Sequence, residues 1–192
     1  MSVVARIAPR AWLLVVPAAL VAQAAILLAL GRAPICPCGT VKLWHGVVYS
    51  AENSQHIFDW YAITHIMHGF GLYLVSWFLL PRAPIFARLA LAVLFEGAWE
   101  ILENSPYIID RYRTATIALD YYGDSVVNSI ADTVAMMFGF ALAAVLPAWS
   151  IITLTVIFEA LLLYLIRDSL LLNIIMLMYP LDAIKAWQQV SP

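Results

Sequence analysis

Long apolar runs alternate with short polar stretches along most of the chain. Five runs reach the length of about 20 mostly apolar residues that a bilayer-spanning helix needs: residues 11–30, 61–80, 84–102, 126–146 and 149–166. A sixth run, within residues 169–180, is too short to span alone. We expect it to be re-entrant, to lie in the membrane interface, or to cross obliquely with residues 181–187. The pattern predicts an all-α, polytopic transmembrane helical bundle that forms one integral membrane domain over residues 1–192.

Composition supports the membrane interpretation over a soluble helical bundle. The chain is 64% hydrophobic and only 11% charged, whereas soluble domains are about 25% charged. A net charge of −2 without a basic tract argues against nucleic acid as a partner. The partner that this composition predicts is membrane lipid.

The distribution of arginines predicts the orientation, because positive residues favour the cytoplasmic side. The N-terminus is expected in the cytoplasm and the protein in the cell inner membrane, since four arginines then lie inside: Arg6, Arg10, Arg82 and Arg88. Residues 31–60 and 103–125 are then outside. Aromatic residues crowd this outer boundary, as an interfacial belt would: Trp44, Trp60, Tyr61, Tyr107, Tyr112, Tyr121 and Tyr122. Trp187 would fit the opposite side.

Two stretches fifty-one positions apart have nearly the same sequence. Residues 52–61 and 103–112 share Glu, Asn, Ser, Ile, Asp and Tyr at the same spacing. We expect the two Glu-Asn-Ser segments to pack near each other on the outer face. In the second copy, Pro106 after Ser105 suits a helix that starts with Ser105 as N-cap.

Three predicted spans each carry a polar stripe in the half nearer that outer face. The stripes are His65 and His68 at i, i+3; Glu96, Glu100 and Glu103 at i, i+4 and i+7; and Asp124, Asn128 and Asp132 at i, i+4 and i+8. Each spacing puts its side chains on one helix face. A rise of about 1.5 Å per residue brings His68, Glu96 and Asp132 to similar depth, so we expect these three to be mutually close.

Three interpretations of this polar layer stay open. It is a structural network between helices, a proton or ion path, or an active site. In the active-site interpretation His65 and His68 bind a divalent metal such as zinc, and the catalytic candidates are Glu96, Glu100, Glu103 and Asp132. The reaction would be a hydrolase or transferase reaction on a lipid or envelope substrate.

Further candidates for binding lie at the outer boundary. They are Asn53, Asn104, Asp124, Asn128, Arg111 and Arg113, of which the arginines would suit a lipid phosphate. Cys36 and Cys38, separated by one proline, suggest an oxidising compartment and a disulfide, although metal binding and thiol reactivity also fit the pair.

Several motifs resemble a known family. Residues 42–48 and 50–56, residues 99–106 and residues 120–129 are similar to the signature of an uncharacterised family of alphaproteobacterial multi-pass membrane proteins without an established activity. The resemblance covers residues 36–187 and implies a cell-membrane location with several spans. The stripe Gly123-Asp124, Asn128 and Asp132 is also similar to helices of VanZ-like membrane proteins, a likeness at the level of fold alone.

Overall fold

The structure, a computed structural model, describes residues 11–116 and 121–189. These residues form eight α-helices and no β-strand, so the all-α class is confirmed. The helices are α1 (Trp12–Ala29), α2 (Ala62–Leu79), α3 (Ile85–Glu103), α4 (Pro106–Ala115), α5 (Val126–Val145), α6 (Ala148–Ile166), α7 (Leu170–Met178) and α8 (Asp182–Gln189). Two of the arginines behind the predicted orientation, Arg6 and Arg10, lie outside the described residues. So does Asp120, the first residue of the motif 120–129.

The five long helices coincide with the five predicted segments, and each end agrees to within one residue. By length and composition, α2, α5 and α6 are able to cross a membrane, and the apolar part of α1, Leu14–Ala29, is shorter. α3 carries four charged residues, among which Glu96 and Glu100 are buried. α6 buries only Leu162 and Ile166, so most of its apolar surface faces outward.

α2 and α5 form the closest helix pair because each has a glycine at the crossing. A methyl group at Gly69 would lie 2.1 Å from the backbone oxygen of Met136, and one at Gly139 would lie 2.0 Å from that of Ile66. No side chain larger than hydrogen fits at either point. This close approach brings the histidine face of α2 against the aspartate face of α5.

α1 is joined to α5 by a buried glutamine that the sequence reasoning did not single out. Gln23 Nε2 donates to the backbone oxygen and to Oγ of Ser129, at 3.1 and 3.0 Å. Its Oε1 accepts from Thr133 Oγ1 at 3.0 Å. Such hydrogen bonds hold helices together in an apolar environment.

Serine caps fix where the outer segments become helical. Ser105 accepts a hydrogen bond from Ile108 N and Pro106 occupies the first turn of α4, as predicted from the sequence. Ser125 caps α5 and Ser169 caps α7 in the same way. α4 lies within residues 103–125, and its start at Pro106 agrees with the helix expected after Ser105.

The chain after α6 stays at the end of the bundle that carries residues 31–60. Tyr49 Oη donates to the backbone oxygen of Gln188 at 3.0 Å, and Lys185 Nζ lies 2.5 Å from that of Thr114 in α4. Both α7 and α8 therefore lie at this end of the bundle, and these contacts do not fit a run of residues 169–187 to the opposite end. The placement of Trp187 on the opposite side was wrong for the same reason.

Candidate functional site

A cavity of about 360 Å³ lies at the end of the bundle covered by α4 and α7. α7 gives it an apolar wall made of Leu170, Ile174, Leu177 and Met178. The opposite wall consists of polar side chains from α2, α3, α5 and the segments that precede them. The cavity is thus amphipathic and adjoins the predicted polar layer.

Two histidines of α2 share one carboxylate oxygen of α3. His65 Nδ1 lies 2.7 Å and His68 Nδ1 lies 2.9 Å from Glu96 Oε1. The i, i+3 spacing places both rings on one face, with centroids 4.9 Å apart. Because an ionised carboxylate only accepts hydrogen bonds, both Nδ1 atoms carry the proton, and each neutral ring keeps a lone pair on Nε2.

The histidines lie between Glu96 and the cavity. Both of them and Asp132 line its wall, whereas Glu96 does not. His65 Nε2 is 4.0 Å from Asp132 Oδ2, too far for a hydrogen bond but close enough for both atoms to reach one divalent ion at about 2.0–2.2 Å each. A carboxylate that orients a histidine whose other nitrogen faces an ion is the usual outer arrangement of protein metal sites.

Glu100 is turned away from the cavity. Its Oε2 accepts from Ser129 Oγ at 2.6 Å, and its Oε1 is 3.3 Å from His65 Nδ1. Since Ser129 also bonds to Gln23 of α1, the polar contacts continue across the bundle. This placement makes Glu100 part of the packing between helices. Its buried Oε1 has no hydrogen bond from the described residues, and ligand atoms of Glu100, His65 and Glu103 lie within 4.8 Å of one another.

Three carboxyl groups at the mouth of the cavity each accept a hydrogen bond from a tyrosine: Glu103 from Tyr112 (2.7 Å), Asp124 from Tyr121 (3.0 Å) and Asp168 from Tyr61 (3.0 Å). Burial raises the pKa of Asp124 to about 6, although hydrogen bonds from Asn104 and Tyr121 act against this. Burial likewise raises the pKa of Asp168 to about 6, against four hydrogen-bond donors. Both carboxyl groups therefore titrate near neutral pH.

The two Glu-Asn-Ser copies meet at the segment 123–125. Ser125 N donates to the backbone oxygen of Ser54 at 3.0 Å. Asn104 Nδ2 donates to Asp124 Oδ2 at 2.7 Å, and Asp124 N donates back to Asn104 Oδ1 at 2.7 Å. Their backbones differ: Ser54 has a φ of 59° in a turn, whereas the second copy continues into α4.

The remaining amide candidates divide between the cavity and the packed interior. Asn53 lines the cavity, and its buried Oδ1 receives no hydrogen bond from the described residues. Asn128 is only 1% exposed and sits in the first turn of α5, where its backbone N–H bonds to Ser125 Oγ. Asn53 therefore lines the cavity and Asn128 does not, and the buried Nδ2 of Asn128 also lacks an acceptor among the described residues.

The two arginine candidates bind backbone oxygens. Arg111 Nε donates to the carbonyl of Leu177 at 2.9 Å, which ties α4 to α7. Arg113 Nε lies 2.5 Å from the carbonyl oxygen of Tyr121, and its Nη1 is 4.0 Å from Asp110. Neither arginine lines the cavity, so the structure gives them a role in holding its roof.

Sequence reasoning missed the tyrosines and Asp168 as parts of the site. Tyr61, Tyr112 and Tyr121 were assigned to an interfacial belt, yet all three line the cavity. Of these tyrosine–carboxylate contacts, the sequence could have indicated only that between Tyr121 and Asp124, which are three positions apart. Asp168 contacts Tyr61 across 107 positions, and no local pattern could predict that contact.

A second group of metal-ligating residue types lies in the outer loops. Ligand atoms of Cys36, Cys38, Glu52 and His56 lie within 4.8 Å of one another. The two sulfurs are joined in a disulfide, one of the alternatives that the sequence left open. His56 Nδ1 accepts the backbone N–H of Lys42, so its other nitrogen carries the proton. In this state the group offers no free thiolate and no free imidazole lone pair.

Comparison with known proteins finds the model of the family described as "Protein of unknown function (DUF2585)", which matches residues 27–190. A UPF0314 protein of Paracoccus denitrificans is 56% identical over 162 residues, 84% of either chain. A UPF0314 protein of Sphingopyxis alaskensis is 54% identical over 178 residues, 92% of this chain and 94% of the relative. One of Rhizobium etli is 52% identical over 177 residues, 92% of this chain and 91% of the relative. No solved structure matches the chain.

Proposed function

We propose a function for this chain, which belongs to the DUF2585 family of proteins of unknown function, from its own geometry. It is a multi-pass protein of the cell inner membrane whose cavity is the active site of a metal-assisted hydrolase or transferase. The substrate is an amphiphile that enters from the outer leaflet. The observation that carries the proposal is the pair of histidines that both bond to Glu96 Oε1 through Nδ1 and both line the cavity.

The membrane arrangement is proposed as five spans with a cytoplasmic N-terminus. α2, α5 and α6 have the length and composition of spans. α1, which carries no charged residue, and α3, which buries Glu96 and Glu100, pack along the same bundle. Arg82, between α2 and α3, favours the cytoplasm for that connection. Reporter fusions after Leu30 and after Arg82 test this: we expect a periplasmic signal at the first and a cytoplasmic signal at the second, and the reverse pair would overturn the orientation.

The proposed metal ligands are Nε2 of His65 and Oδ2 of Asp132, which lie 4.0 Å apart, and His68 as the third. Ligand atoms of His65, His68 and Glu96 lie within 4.8 Å of one another. Glu96 is the positioning residue that fixes the tautomer and the ring orientation of both histidines. Three protein ligands with a position left for water is the pattern of catalytic rather than structural zinc sites. Asp132 is only 4% exposed, so an ion at this position would also neutralise a carboxylate that otherwise lacks a close positive partner.

The chemistry that this site would support is the attack of an activated water or hydroxyl group on an electrophilic centre of the substrate. A bound divalent ion lowers the pKa of its water toward 7 and polarises the bond under attack. Glu103 lies on the same side, with ligand atoms of Glu103 and His65 within 4.8 Å, and is placed to transfer a proton. The apolar wall of α7 would hold the hydrocarbon part of the substrate.

Elemental analysis of the purified protein in detergent tests the metal. We expect one divalent ion per chain and no ion in His68→Ala. In Glu96→Gln the affinity for the metal should fall about 10–100-fold, because carboxylates that support metal-ligating histidines have effects of this size. Cys36→Ser/Cys38→Ser is the matched control, since it removes the other metal-ligating group and should keep the ion.

The competing interpretation is that the polar layer is structural or conducts protons. The contacts of Glu100 with Ser129 and His65 favour it for the side of the layer away from the cavity. It predicts protein without stoichiometric metal. A purely structural layer also predicts normal complementation of a deletion strain by His68→Leu, provided that the variant folds, whereas a proton path through His68 predicts loss of complementation without metal. Either result would end the metal-enzyme proposal.

A further inference from the structure

The cavity wall has an unbalanced charge. Four carboxyl groups face the cavity: Glu103, Asp124, Asp132 and Asp168. Among the lining residues that the structure describes there is no lysine or arginine. The ion pairs formed by lysines and arginines within the described ranges use other acids, Glu52 and Asp110. Apart from His65 and His68, which Glu96 engages through Nδ1, the described wall offers these carboxyl groups no basic side chain.

The hydrogen bonds that these carboxyl groups accept do not remove the imbalance. The tyrosines that donate to Glu103, Asp124 and Asp168 are neutral, and a buried carboxylate needs an opposite charge as well as donors. Asp132 is more than nine-tenths buried, and its Oδ1 has no donor in the described part of the chain. Oδ1 of Asn53, also in the wall, lacks one too. A ligand that fits must bring positive charge and N–H groups together.

The remaining lining residues indicate that the ligand also has an apolar part. Trp99, Tyr61, Tyr112 and Tyr121 supply aromatic groups around the carboxylates, and aromatic faces attract cations. The apolar side chains of α7 continue from this region toward the outside, with Met178 and Tyr179 80% and 73% exposed. Together they make a path for a hydrocarbon chain that leaves the polar end of the cavity.

We infer that the cavity binds an amphiphile with a protonated amine: an N–H-bearing ammonium group set among Glu103, Asp124 and Asp168, with its alkyl chain along α7. The inference rests on the proposed function in that it names the substrate class of the same cavity. It is separate from the metal, which uses the histidines and Oδ2 of Asp132 at the floor. An anionic headgroup is disfavoured, because the wall would repel it.

A series of probes with one chain and different headgroups tests this on the full-length protein in maltoside micelles. The measured quantity is the shift of the unfolding temperature as a function of the mole fraction of the probe. The probes are dodecylammonium, dodecyltrimethylammonium, dodecyl phosphate and the water-soluble butylammonium. We expect dodecylammonium to bind about tenfold or more tightly than dodecyltrimethylammonium, which lacks N–H groups. Dodecyl phosphate should give no saturable shift, and butylammonium only a weak one.

Charge-neutral variants locate the headgroup. Glu103→Gln keeps the volume and an acceptor for Tyr112, and should weaken dodecylammonium binding about tenfold, as expected for one charge-assisted hydrogen bond. Asp110→Asn is the matched control because it removes an exposed carboxylate outside this cavity, and it should bind as the unchanged protein does. If Glu103→Gln does not fold, the probe series on the unchanged protein decides alone.

Each measurement is made on metal-loaded and on chelator-treated protein. A preference for dodecylammonium in both states supports the inference even if no native metal is found, in which case only the metal proposal fails. Equal binding of ammonium and trimethylammonium, tighter binding of the phosphate, or a preference that disappears when metal is loaded would each overturn the inference.

Discussion

Removal of Glu96 alone should destabilise the protein more than removal of the whole polar set around it. One oxygen of Glu96 accepts two hydrogen bonds from buried or half-buried imidazoles, at 2.7 and 2.9 Å. A hydrogen bond to a charged group contributes about 1.5–3 kcal/mol to stability, so the loss of both bonds costs about 3–5 kcal/mol. Glu96→Leu is therefore expected to lower the free energy of unfolding by about that much.

The comparison requires four substitutions, because both His65 and His68 depend on Glu96. His65→Leu/His68→Leu/Glu96→Leu/Asp132→Leu replaces every member with an apolar side chain, and such replacements of buried ionic networks are often nearly neutral. We expect this variant to be more stable than Glu96→Leu. Glu96→Gln should fall between Glu96→Leu and the unchanged protein, since it keeps an acceptor oxygen but loses the charge that strengthens both bonds.

Equilibrium unfolding in mixed micelles, followed by circular dichroism, measures the three variants against the unchanged protein. If Glu96→Leu loses less than about 1 kcal/mol, the size of an ordinary neutral hydrogen bond, the shared carboxylate is not a charged acceptor for both rings. The assignment of the histidine tautomers would then be refuted.

Three further predictions follow from single contacts. Gly69→Ala should unfold at a markedly lower temperature, because its methyl group would meet the Met136 carbonyl at 2.1 Å, whereas Gly71→Ala, with nothing within 4 Å, should unfold normally. In unfolding titrations, the free energy of unfolding should fall as the pH rises from about 4 to 6, by about 3 kcal/mol at most for Asp168. The reason is that burial raises the folded pKa of Asp168 to about 6 and favours the protonated form. Asp168→Asn should flatten this pH dependence, and a stability that rises over the range would contradict the burial argument. Ser105→Ala should cost about 1 kcal/mol in the same unfolding assay through loss of the α4 cap, and an effect of zero would show that the cap is not formed.

The helices that carry the polar layer were predictable because their apolar runs are long and their ends are marked. Gly31, Pro81 and Pro147 directly follow three of the runs. The bounds of α1, α2, α3, α5 and α6 agree with the predicted segments to one residue. The i, i+3 and i, i+4 spacings also identified the side chains that share a face. The estimated depths predicted that His68, Glu96 and Asp132 lie close together. They could not show that it is His65 whose Nε2 lies 4.0 Å from Asp132 Oδ2.

The mouth of the cavity was not predictable in the same way, because it depends on contacts between distant segments. Tyr61 and Asp168 are 107 positions apart, and Arg111 fixes the roof through the carbonyl of Leu177, 66 positions away. Neither contact leaves a periodic pattern in the sequence. Gln23 was visible as a polar residue inside an apolar run, and such residues in predicted spans are worth treating as contacts between helices.

X-ray absorption at the edge of the bound metal tests the central claim most directly, because it counts the ligand types around the ion. The account predicts two imidazole nitrogens near 2.0–2.1 Å and oxygen ligands in the remaining positions, without sulfur. In His68→Ala one imidazole should be lost from the spectrum. A sulfur shell near 2.3 Å would place the metal at Cys36 and Cys38 instead, and a shell of oxygen alone would contradict the histidine centre.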